Sequence, residues 1–144
     1  MDLSADAPHT PDRTRRAAEL AAQAIRLLNH ATRHDRGGLK YPADADRVTT
    51  ELGILVSRLP QLLSQIAGWY EAEQAAGRLT VEYGPFEGYP VRAVSAVRTM
   101  MFNAAGIAED LHAALEHAHR ITAAIAGGPE DETDPPGRFF TICP

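Results

Sequence analysis

Two sets of histidines are the residues whose types and spacing come nearest to chemistry. His30 and His34 stand four apart in the stretch LNHATRHDRGGLKYP, and His112, Glu116 and His119 follow one another at spacings of four and three. On a helix such spacings put side chains on one face, as in helical bundles that hold metals with paired Glu-x-x-His motifs. Glu116 to His119 is one such pair, and no second helix repeats it, so the set is half of a centre. His34 lies between Arg33 and the Gly37-Gly38 pair, a setting that suits the last turn of a helix, where cations meet the negative end of the dipole. A helix-end role is therefore the expectation for His34, and edge positions beside the packing seam for His112, His117 and His119. Neither a metal nor a cofactor is expected.

Nucleophilic chemistry has less support. Ser57, Ser64 and Ser95 sit in helical patterns without the Gly-x-Ser-x-Gly turn that lifts a serine out of a sheet. Cys143, the single cysteine, is next to the last residue with no orienting base near it in sequence. Gly37-Gly38 lacks the further glycines and the preceding strand of a phosphate loop. The adjacent carboxylates Glu109 and Asp110 diverge by about 100° on a helix and cannot converge on one substrate. The expectation is a non-enzymatic protein.

Binding is better served. Trp69, Tyr70, Tyr83, Phe86 and Tyr89 crowd into one short stretch and are expected to fold together, as a lid on one end of a bundle or as a groove for a peptide or small ligand. Arg26, Arg33, Arg36 and Lys40 form a local basic corner, the alternative site, through which an accessory factor would touch nucleic-acid phosphates. A solvated face of mixed charge is the reading preferred for that corner.

These residues must be positioned by helices. Thr10 suits an N-cap, Pro11 a first helical position and Asp12 a first turn. The apolar positions Ala17, Ala21, Ala24, Leu28 and Ala31 then carry helix 1 until Gly37 and Gly38 stop it. Asp44 can cap helix 2, whose seam Val48, Leu52, Leu55, Leu59, Leu62, Ile66 and Trp69 keeps its register across Pro60, predicting one helix kinked there and ended at Gly77. Residues 78 to 90 read as a loop. Pro90 opens helix 3, with the seam Val94, Val97, Met101, Ala104, Ala108, Leu111, Leu115, Ala118, Thr122 and Ile125, stopped by Gly127 and Gly128.

The fold expected is all-α, an up-down-up bundle of three long helices over residues 10 to 126. Helices 2 and 3 pair like an antiparallel coiled coil, and the alanine-rich helix 1 lies close against them. Residues 1 to 9 read as a flexible start, and residues 127 to 144, acidic and proline-bearing, as a disordered tail whose RFFTIC segment could dock on a partner or on the bundle.

Composition narrows the class. With 144 residues the chain suits one domain without disulfide staples. Its net charge is −5, and residues 61 to 144 carry five Lys/Arg against eleven Asp/Glu, which argues against a broad nucleic-acid footprint. The segments LNHATR, YPADADRV, LPQLLSQI and EAEQAAGRL resemble a group of small helical actinobacterial proteins with no assigned function, best over residues 20 to 80. That resemblance implies a bacterial, cytoplasmic, helical protein and carries over no site residue. No signal peptide or membrane span is read. Helices 2 and 3 leave apolar flanks such as Leu63, Met100 and Ile107 for which helix 1 offers mostly alanine. The expected partner is therefore another protein or a second copy in a homodimer.

Overall fold

The computed structural model describes residues 8–125, so the segments expected to be a flexible start and a disordered tail lie, but for residues 8 and 9, outside the described residues. The expected all-α architecture of three long helical segments is present, the second of them bent at Pro60. In chain order the helices are α1 (Pro11–Ala31), α2 (Pro42–Ser57), α3 (Leu59–Ala75) and α4 (Pro90–Thr122), with a 3-10 turn at His34–Arg36 between the first two. At ~1.5 Å per residue α4 is about 50 Å long.

Local chemistry accounts for the boundaries. Thr10 Oγ1 accepts the Arg13 N–H at 3.2 Å, and Pro11 follows at a position where a missing N–H costs nothing. Asp44 acts from inside α2, its carboxylate accepting the Lys40 and Tyr41 N–H groups at 2.9 and 2.8 Å while Pro42 opens the helix. At the bend the ladder is interrupted for one residue. Arg58 stays in the right-handed region at φ −89°, its N–H reaching the Leu55 carbonyl at 3.2 Å, and its own carbonyl accepts from Leu62 at 3.3 Å. Pro60 thus sits in the first turn of α3, and α2 and α3 are two limbs of one bent helix.

Helix 1 ends earlier than its sequence suggests. The helix stops at Ala31, with the Thr32 hydroxyl donating to the Leu28 carbonyl at 2.8 Å. His34 begins the 3-10 turn, and Gly37 closes that turn at φ +68°. Of the histidine pair it is His30 that occupies the last turn of α1. A Cβ on Gly38 would collide with the Ala31 carbonyl, so the linker is folded tightly onto the end of α1.

Packing is concentrated on α4. It runs antiparallel to the bent helix, as cross-pairs show: Arg98 meets Glu71 of α3, while His119 and Thr122 meet Thr50 and Asp46 of α2. The buried residues are small, namely Gly53 and Val56 on α2, Ala67 on α3, and Val94 and Ala108 on α4. The expectation that helix 1 lies close against the others is not met. It packs along none of them and buries no residue. Alanine supplies little apolar area for docking.

Candidate functional site: an apolar flank and a polar seam

The sequence singled out Leu63, Met100 and Ile107 as an uncovered flank, and the structure leaves two of them open. Ile107 is 68% exposed and Met100 60%, while Leu63 is half-buried. Their neighbours extend the surface. On α3, Leu62 is 50% exposed and Trp69 56%, with Ile66 between them, and on α4 Leu111 follows Ile107 by one turn. Each set lies about 90° to the same side of its helix's buried line, which runs through Leu63, Ala67 and Tyr70 on α3 and through Val94, Met101 and Ala108 on α4. In an antiparallel pair, equal rotations from the contact line point to the same side. The register of Arg98 on Glu71 then sets Trp69 level with Met100 and Leu62 level with Ile107. The result is one continuous apolar face of six large side chains. Ala104, Ala114 and Ala118 fill the intervals on α4, and Ile121 carries the stripe towards its end.

The aromatic cluster does not close. Trp69 and Tyr70 meet edge to face with centroids 5.1 Å apart, but Tyr83 is 84% exposed and Phe86 and Tyr89 also stand open, Tyr89 beneath the Arg92 guanidinium. A lid would bury these rings, so the lid expectation fails. The loop folds on its own backbone instead, with Gly88 N–H on the Val81 carbonyl at 3.0 Å and Tyr89 N–H on that of Phe86. Trp69 alone of the five joins the apolar face.

The basic corner is dispersed, and one carboxylate serves two of its arginines. Asp35 accepts both Arg33 nitrogens at 3.2 Å and has Arg36 at 3.7 Å, and the Lys40 ammonium lies 5.0 Å over the Tyr41 ring. Arg26 stands a helical turn and more away on α1. The four cations are not gathered into one phosphate cradle.

The α2–α4 contact holds a polar seam that sequence reasoning missed in part. Asp46 Oδ1 accepts the Thr122 hydroxyl at 2.6 Å and faces His119 Nδ1 at 2.9 Å, with Thr50 Oγ1 3.2 Å from the same nitrogen. The Thr50 hydroxyl donates to the Asp46 carbonyl, and since the carboxylate only accepts, it is the Nδ1–H tautomer of His119 that would satisfy both Asp46 and Thr50. The Asp46 carboxyl is held below the usual aspartate range, by the Thr122 hydroxyl first and by His119 second. Further along, His112 Nδ1 is shielded from solvent with no hydrogen-bond partner, and a Cβ added to Gly53 would stand 4.0 Å from it and from Glu116 Oε1. His112 and His119 are thus turned into the contact, whereas Leu111, placed on the seam by its spacing, is turned out.

An Asp–His pair can activate a nucleophile that reaches Nε2, but the hydroxyls here, Thr50 and Thr122, lie on the Nδ1 and carboxylate side. Among the described residues no three His, Cys, Asp or Glu side chains gather as a metal-holding group, and no helix is long and apolar enough to cross a membrane. Cys143 lies outside the described residues. Compared with known protein families, curated proteins and solved structures, the chain matches none.

Proposed function

We propose that this protein is a non-enzymatic helical association module, working in the cytoplasm, that accepts a partner helix on the apolar face of α3 and α4, with a second copy of the chain as its first partner. The observation that carries this is the continuity of the face. Six large apolar side chains present on the order of 600 Å² to water, at or above the largest patch of a typical monomer. The spacing on α4 of Met100, Ala104, Ile107, Leu111, Ala114, Ala118 and Ile121 alternates threes and fours, the pattern by which one helix receives another as in a coiled coil.

The polar seam fits the same reading in a supporting role. Asp46, Thr50, His119 and Thr122 satisfy one another between α2 and α4, which helps to fix how α4 is rotated and so which of its sides faces out. Light scattering at tens of micromolar should give about twice the 15.6 kDa chain mass. The double variant Met100→Glu, Ile107→Glu should scatter as a monomer with unchanged helical circular dichroism. A wild-type monomer, or a double variant that still dimerises, would remove the face from this role.

A further inference from the structure

Among the described residues two apolar surfaces stand largely open, and they match. One is the α3/α4 face. The other is the stripe of α1, where Ala17, Leu20, Ala21, Ala24, Leu28 and Ala31 share one side of a 21-residue helix that, among the described residues, packs along no other helix and buries no residue, Leu20, Leu28 and Ala31 being half-buried. We infer that they cover each other between two copies, α1 of each chain lying along the α3/α4 face of the other in a reciprocal exchange. This rests on the association reading above and names the segment that performs it.

Length, shape and charge all favour this pairing. At ~1.5 Å per residue α1 is about 31 Å long, and the stretch from Met100 to Ile121 is the same length to within a residue. The alanines of α1 let its backbone approach, and Met100, Ile107, Leu62 and Trp69 supply the bulk that α1 lacks. Residues 11 to 41 carry seven Lys/Arg against three Asp/Glu, whereas residues 42 to 125 carry six against ten, so the arm is basic and the body acidic. Asp110, one turn after Ile107, stands exposed at the border of the face.

A face-to-face dimer would bury the large side chains and leave α1 uncovered. One α1 on one face is a small interface, and two-fold reciprocity doubles its area towards that of a standard stable complex. The linker between α1 and α2 is tightly folded, with Gly37 in the left-handed region, Gly38 pressed on Ala31 and Asp44 clamping Lys40 and Tyr41, and in this conformation α1 packs along no helix of its own chain.

Complementation between two full-length variants tests the exchange. Leu28→Glu disables the arm and keeps the face; Ile107→Glu disables the face and keeps the arm. Each alone should scatter as a monomer with wild-type helical circular dichroism, and their equimolar mixture, which keeps one of the two arm-on-face contacts, should approach twice the 15.6 kDa mass at a higher concentration than the wild type needs. If Leu28→Glu disturbs α1 itself, Leu28→Gln with an unchanged helical signal takes its place. A Leu28→Glu dimer beside an Ile107→Glu monomer would overturn the exchange and leave face-to-face association standing. A mixture that associates no more than either variant alone at any concentration would also overturn it, and an Ile107→Glu dimer would overturn the face as well.

Discussion

The bent helix meets α4 in two different ways on either side of Pro60. Beyond the proline, α3 meets α4 through apolar side chains, with Ala67 and Val94 buried and Leu63 and Met101 beside them. Before it, α2 offers Asp46, Thr50 and Gly53 to His112, Glu116, His119 and Thr122. The first contact gains free energy from every methylene removed from water and has little preference for angle. The second gains little net free energy but loses heavily if any donor or acceptor misses its partner, so it specifies orientation. One helix pair thereby separates the task of holding together from the task of holding in register.

The comparison breaks most visibly if the apolar half is weakened. Val94→Ala should cost about 2 kcal/mol in urea unfolding, since it deletes buried methyl groups where backbone contacts leave little room to collapse. In the polar half the sign should reverse at one place. His112→Leu replaces a shielded nitrogen that has no partner with apolar surface of similar length, and should raise stability by about 1 kcal/mol. A loss of that size instead would mean that His112 finds a hydrogen-bond partner in solution.

The smallest effect is the dependence of the polar half on acid. The carboxyl of Asp46 lies below its usual range because of Thr122 and then His119, that of Asp44 because of the Tyr41 and Lys40 N–H groups, and that of Glu73 because of Arg78. A depressed folded-state value contributes stability that is complete above the unfolded-state value and is lost as pH falls through the folded one. Melting temperature should therefore drop as pH falls from ~5 to ~3, and Asp46→Asn should make that drop shallower. An unchanged slope would assign the acid sensitivity to Asp44 and Glu73 alone.

The helices could be read from sequence because their signals are local. Thr10-Pro11 opens α1, the three-and-four spacing carries the seams, and Pro60 falls where a proline costs a bent helix least. The open flank at Met100 and Ile107 could also be read, since exposure follows from which side of a helix is already used. Asp46 could not, because its partner His119 is 73 residues away and nothing at either position announces the other. A hint did exist. His112 and His119 are seven apart and each follows a seam residue, Ala108 and Leu115, by four, which turns them inward with the seam. Helix 1 misled because its pattern is that of a docked helix, while among the described residues it packs along no other helix.

The interruption at Arg58 divides more than direction. Pro60 has no N–H, and the ladder of α2 ends before that of α3 begins, so the two limbs do not share an unbroken chain of backbone hydrogen bonds. Fraying of α2 need not propagate past Arg58, and α3 can keep its grip on α4 while α2 opens and closes. The molecule is thus partitioned into an inner cooperative unit of α3 with the first half of α4 and an outer unit of α2 with the second half. Because Met100, Ile107, Leu62 and Trp69 all belong to the inner unit or its margin, the apolar face would survive excursions that dissolve the polar seam.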